Sequence, residues 1–270
     1  MIPLDWKRRL KKDTIDFYEN KLPKGDYDIE IVYNIYPERI NNKIPKAVIT
    51  FVSKTLAKKI VKDSEKYFDF YDYLLKEKGE NGYTIFAYIM QKAVKKEPKK
   101  FLQYIKKILF ELDNQKEANL IMDKAIYPLF KKKPQKYLPQ IMEWLKKGNK
   151  YLINSIKKLL VKTIRYHDKE IAKKIFNKLE STWLYASEDM VKLNIAVLKA
   201  IFKIDKKFYL SIYSNYHKTH NPIFAEILEG GIKCYHKDIE AMANSWTKSG
   251  NVKLKKIGKH AQRKLKKLKK

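Results

Sequence analysis

Glycine is scarce in this chain, at 8 of 270 residues. Few positions can therefore supply the positive-φ turns that glycine allows. With helix-forming runs throughout, the composition points to an all-α fold. Cysteine is scarcer still. The single thiol, Cys234, excludes an intramolecular disulfide and suits a reducing compartment. No stretch approaches the roughly 18 consecutive apolar residues of a membrane span. The opening MIPLDWKRRLKK also lacks the apolar core of a secretory leader. A soluble, cytoplasmic protein is expected. No Walker-type loop, G-x-G-x-x-G, G-x-S-x-G or H-E-x-x-H segment occurs, and neither a cofactor nor a metal is expected.

Acids and arginine are the other deficits. The net charge is +30, from 60 basic and 30 acidic residues, and only Arg8, Arg9, Arg39, Arg165 and Arg263 are arginine. A twofold excess of bases exceeds what solubility needs. Its field would attract a polyanion, most simply nucleic acid. The plainer explanation is a lysine-biased proteome that decorates every helix. Lysine is a point charge suited to phosphates, whereas arginine supplies bidentate base readout. Binding by this chain should therefore be backbone-directed and salt-sensitive.

What the chain does have is a core and a period. Hydrophobic residues make up 44% and aromatics 13%, enough for a continuous interior. A basic residue or two followed by Pro or Asp opens an amphipathic run six times, at Asp63, Pro98, Pro134, Asp168, Asp205 and Asp238. The spacings are 35, 36, 34, 37 and 33 residues. A repeat of about 35 residues carrying two helices builds helical solenoids. The expected architecture is a right-handed α-solenoid of about six HEAT-like helix pairs. It spans 63–270, behind an N-terminal helical segment of 1–62, as one continuous, monomeric domain.

First helices are expected near 64–78, 99–112, 135–147, 169–180, 206–217 and 239–248, each with Pro or Asp in its first turn or as its N-cap. Second helices are expected near 82–96, 115–132, 150–166, 187–203, 222–236 and 251–268. In the N-terminal segment, helices are expected over 4–21 and 46–61. Between them DYDIEIVYNIY (26–36) alternates like a strand, although neighbouring helices could override it.

Over 150–166, Leu152, Ile153, Ile156, Leu159, Leu160 and Ile164 form an apolar 3.6-period stripe. Asn154, Lys158, Lys162 and Arg165 form the opposite one. The next second helix repeats the pattern with Lys192, Lys199 and Lys203, and the one before shows Lys116, Asp123, Tyr127 and Lys131. Second helices usually line the concave surface of such an array, so these stripes would make a basic groove; plain solvated faces would look the same. The end of the chain is more polarised. Lys253–Lys270 holds ten Lys or Arg and no acid. There Lys255, Lys256, Lys259 and Arg263 are candidate phosphate contacts on a capping helix.

Helix pairs of this length, a K-x-D/P anchor and a strongly basic balance resemble the HEAT-like-repeat DNA glycosylases of the alkylpurine (AlkD/AlkC) superfamily. The stretch Asn119-Leu-Ile-Met-Asp123-Lys-Ala-Ile-Tyr-Pro is similar to that family's W-x-x-x-D segment. The resemblance implies a duplex-DNA partner. It also implies that Asp123 would stabilise the cationic sugar as a damaged base leaves. Asn119, Asn154 and Ile195 stand where the family has a tryptophan, an arginine and a second tryptophan. The alternative reading is a non-enzymatic scaffold gripping an acidic protein partner. His217 and His220 are three residues apart, but lack the further ligands zinc requires. Glu226 and Glu229, one turn apart beside Gly230-Gly231, are a carboxylate pair or an exposed helix face. Trp144, Trp183 and Trp246 are core residues, or platforms for base stacking.

Overall fold

Every regular element in the computed structural model, which describes residues 2–269, is helical; an isolated antiparallel bridge joins Ile40 and Lys43. The chain divides into two units, Met1–Leu129 and Phe130–Lys270.

The first unit holds α1 (Leu4–Asn20), α2 (Glu30–Tyr33), α3 (Lys46–Ile60), α4 (Phe68–Glu77), α5 (Gly79–Lys96), α6 (Pro98–Glu111) and α7 (Gln115–Ile121). A π-helical turn, Met122–Ile126, joins α7 to the short α8 (Tyr127–Phe130). One layer runs α1 on α3, α3 on α5, and α5 on α7 with its π turn; α4 and α6 lie against α5. The strand-like alternation of 26–36 folds as α2 instead. Ile29, Val32, Tyr33 and Tyr36 are buried at spacings of three and four, while Ile31 is 47% exposed. The 3.6-residue period therefore wins over the two-residue one. At the first anchor, Asp63 leaves helical conformation (φ −135°, ψ 50°) within a 3-10 stretch, so α4 begins only at Phe68. Aromatics bind this unit together. Phe68 packs against Phe101 and Tyr104, and Tyr71 and Tyr104 meet Phe86. A side chain at Gly82 would meet the Leu74 carbonyl oxygen at 1.9 Å, so only glycine permits this approach of α5 to α4.

The expected helix over 115–132 breaks for a physical reason. Pro128 has no N–H to give the carbonyl of Lys124 four residues earlier. That carbonyl accepts a hydrogen bond from Gln91 Nε2 at 2.9 Å instead. The strain is absorbed as the π turn, the usual form of a local helical irregularity.

The second unit holds four helix pairs, α9 (Pro134–Lys147) with α10 (Lys150–Tyr166), α11 (Lys169–Glu180) with α12 (Glu188–Ile204), α13 (Lys206–Asn215) with α14 (Pro222–Gly231), and α15 (Lys237–Thr247) with α16 (Val252–Leu268). The second helices stack in order, α10 on α12, α12 on α14 and α14 on α16. The first helices form the other layer, α9 on α11 and α13 on α15, with Phe176 and Phe208 joining α11 to α13. Asp168 and Asp205 cap as expected, accepting from the amides of Ile171 and Phe208 at 3.1 Å. Pro98 and Pro134 open α6 and α9. At the sixth anchor the cap is His236, which accepts from the amide of Asp238.

A second period, unread in the sequence, starts the second helices. Asn114, Asn149, Ser187, Asn221 and Asn251 each cap one through a side-chain oxygen. The helix expected over 222–236 ends at Gly231, because buried tyrosines take its last carbonyls. Tyr209 donates to the Gly231 oxygen at 3.0 Å and accepts from the Lys233 amide at 2.9 Å, and Tyr213 donates to Leu228 at 2.8 Å. Trp144, Trp183 and Trp246 are all fully buried. The indole N–H of Trp183 reaches Asn194 Oδ1 at 2.9 Å and that of Trp246 the Thr219 carbonyl at 2.8 Å. They are core residues, and the stacking alternative falls away for them.

Candidate nucleic-acid interface

A helix turns 100° per residue, so the buried set of each second helix fixes what its opposite side presents. On α10 the buried set is Leu152, Ile153, Ser155, Ile156, Leu159, Leu160, Thr163 and Ile164. Lys158, Lys162 and Arg165 lie opposite and exposed, with Asn154 half-buried beside them. On α12 the buried set ends at Ile201, and Lys192 and Lys203 are exposed with Lys199 half-buried between them. On α16, Lys256, Lys259 and Arg263 share one exposed side; Lys255 is exposed as well but turned toward the far end of the stack. All ten basic candidates therefore belong to outward faces of the second unit.

The face is not uniformly basic. Between α12 and α16, α14 presents Glu226 and Glu229. Lys253 pairs with Glu226 at 2.8 Å, and Lys264 with Glu229 at 2.7 Å while also donating to the Glu229 carbonyl. The two carboxylates are engaged structurally and form no acid–base pair of their own. Lys192 is paired with Glu188 on its own helix. Lys158, Arg165, Lys203, Lys256, Lys259 and Arg263 make no ion pair among the described residues.

Two lysines report how crowded this positive surface is. Burial pushes the Lys157 ammonium below its ordinary value; Asp189 opposes this, and Lys158 and Lys192 add to it. Burial likewise lowers Lys199, helped by Lys233 and Lys264 and opposed by Glu229. An anion bound over either group would oppose that lowering. Lys157 was absent from the sequence reading, which followed only the four-residue stripe from Asn154 to Lys162. Its Nζ donates to Asn154 Oδ1 at 2.6 Å.

Asp123 belongs to the first unit and lies half-buried in the π turn. Asn154 donates to the Lys150 carbonyl at 2.9 Å within α10. Ile195 packs over Gly230, where an added side-chain carbon would meet its Cδ1 at 2.3 Å. No group of three or more His, Cys, Asp or Glu able to hold a metal occurs among the described residues. Nor is any described helix long and apolar enough to cross a membrane. One buried aromatic of the first unit sits beside lysines. Tyr88 on α5 lies under the ammonium groups of Lys54, at 5.5 Å from the ring centroid, and Lys124, at 5.6 Å.

Searches of protein-family models, of curated proteins and of solved structures each find no match to this chain. The resemblance to the alkylpurine glycosylases rests on the residues quoted for it.

Proposed function

We propose that this protein binds duplex DNA and is related to the HEAT-like-repeat alkylation-repair proteins. On this reading the four pairs of the second unit are HEAT-like repeats of a right-handed solenoid, and the outward faces of their second helices hold the phosphate backbone. The supporting observation is the set of outward cations on three of the four second helices, α10, α12 and α16. Six of them, Lys158, Arg165, Lys203, Lys256, Lys259 and Arg263, make no ion pair among the described residues. Six to ten phosphate contacts cost roughly a thousand- to hundred-thousand-fold in affinity between about 50 and 200 mM salt.

Duplex retention across a salt series tests this. Steep loss with salt is expected, with a slope that falls by about 0.9 for each lysine removed. Failure to retain duplex at low salt ends the reading. The enzymatic form of the proposal gives Asp123 the role of stabilising the departing base's sugar; release of alkylated bases, abolished in Asp123→Asn, would distinguish enzyme from binder. A second reading is a scaffold for an acidic protein partner. The mixed charge that Glu226 and Glu229 bring to the face favours it, since a partner with its own charge pattern can match such a surface.

A further inference from the structure

Nearly all the aromatic side chains of this protein are turned inward or half-buried. Among the described residues only Tyr166 and Tyr185 are exposed, at 54% and 87%. Tyr166 ends α10, and its place on that helix follows the cations. Lys158, Lys162 and Tyr166 succeed one another at four-residue intervals, so they share one face, with a rise of about 6 Å per step. All three are exposed, as is Arg165 beside the ring. The row of candidate phosphate contacts on α10 therefore runs into an open ring.

Little holds that ring for the sake of the fold. Its aromatic and cation–π contacts among the described residues are two. The Lys131 ammonium lies 4.5 Å from the ring centroid, and the adjacent His167 ring lies edge-on at 5.1 Å. Lys131 is itself exposed. The backbone beneath is firm, since the amide of His167 still reaches the Thr163 carbonyl at 3.0 Å and keeps Tyr166 in the last turn of the helix.

We propose that Tyr166 stacks an unpaired base of a nucleic acid whose adjoining phosphates lie on Lys158, Lys162 and Arg165, so that this face prefers a duplex with a single-stranded extension to a blunt one. The proposal rests on the phosphate-binding reading of the α10 face and adds the feature of the strand that the face recognises. Two arguments carry it. A cation row that follows the backbone and ends in a ring that takes a base is the combination that holds single strands. Inside a closed duplex the faces of each base are occupied by its neighbours, so an open ring finds a partner only where a strand is unpaired. The second argument is the contrast with Tyr185. That ring is more exposed, but Glu188 and Asp189 follow it in the first turn of α12 and repel phosphate. The acid nearest Tyr166 in sequence, Asp168, already holds the Ile171 amide at 3.1 Å as the cap of α11.

The test uses the full chain and fluorescence anisotropy with one labelled duplex in several forms: blunt, with a short oligo(dT) extension at its 3′ or its 5′ ends, and with the same extensions made abasic. Wild type is expected to bind one of the oligo(dT) extensions roughly 5- to 100-fold more tightly than its abasic counterpart, the range that one stacked base gives. Tyr166→Ala should abolish that preference, Tyr166→Trp should retain it, and Tyr185→Ala should leave it at the wild-type level. Lys158→Ala with Arg165→Ala should weaken every form and reduce the salt slope by about 1.8, at about 0.9 per contact. Equal binding of normal and abasic extensions by wild type overturns the proposal. So does a preference that persists in Tyr166→Ala or disappears in Tyr185→Ala. Blunt duplex retained without any preference for an extension ends this inference alone. Blunt duplex not retained even at low salt ends the duplex reading, and a base preference that survives there, lost in Tyr166→Ala, leaves the stacking site standing.

Discussion

The two units start their helices differently. In the second, each helix from α10 to α16 has a side-chain cap: Asn149, Asp168, Ser187, Asp205, Asn221, His236 and Asn251. In the first, α1 to α6 have none, and only α7 is capped, by Asn114. The first unit compensates with rings, a cluster of Phe68, Tyr71, Phe86, Phe101 and Tyr104 whose closest centroids are 4.8 Å apart. Caps fix where a helix begins to within one residue, and therefore which residues face outward. Rings fix which elements touch but tolerate 3-10 and π irregularities between them.

The largest test of that contrast is Trp183. It is fully buried and ties its indole N–H to Asn194. Trp183→Ala should cost about 3 to 5 kcal/mol, from the cavity it leaves. Trp183→Phe should still cost about 1 to 2 kcal/mol, because Asn194 loses its donor. In the first unit Phe86, equally buried, has no polar partner to orphan, so Phe86→Leu should be milder than Trp183→Phe. Urea unfolding of the three variants measures this. If Trp183→Phe is the milder, the polar handle contributes nothing to the second unit.

Much of the second unit could be read before folding, because its caps lie at a nearly constant spacing in the sequence. Pro134, Asp168 and Asp205 open helices where their period puts them. The side-chain caps of the second helices, Asn114, Asn149, Ser187, Asn221 and Asn251, recur at a looser spacing of 30 to 38 residues and mix asparagine with serine, which blurs their period in the sequence. The first unit was less legible for a physical reason. Asp63 falls inside a 3-10 stretch, and the consequence of Pro128 depends on Gln91, 37 positions earlier in the chain, which a local reading cannot pair with it. Outward charge was legible as a stripe. Its dilution by Glu226 and Glu229 was not, since the pairs to Lys253 and Lys264 join two different helices.

A smaller effect tests the caps themselves. Asp205 is 7% exposed and its carboxylate holds the Phe208 amide. Asp205→Ala should destabilise the protein by about 1 to 2 kcal/mol. Glu97 occupies the same position ahead of α6 but makes no cap bond. Glu97→Ala should change stability by less than about 0.5 kcal/mol. Equal losses at the two sites would mean that caps do not distinguish the units. Hydrogen exchange should place the Asp205→Ala loss at the first turn of α13.

The smallest effect bears on the lysine rows directly, and its sign can be worked out. Burial, aided by neighbouring lysines, holds Lys157 and Lys199 below the ordinary value of 10.5. Between their lowered folded values and 10.5 the unfolded chain binds more protons than the folded one, so stability rises with pH across that window. Below the window both groups are charged in either state and their cost to the fold is complete. A phosphate placed over them reverses the shift and draws protons onto the complex. Calorimetric titration with duplex DNA inside the window, in two buffers of different ionisation enthalpy, should therefore show net proton uptake. Lys157→Met with Lys199→Met should remove that uptake. Binding without uptake in the wild type would mean that the phosphates pass by the outward faces of α10 and α12, and the lysine rows would then be no more than a solvated surface.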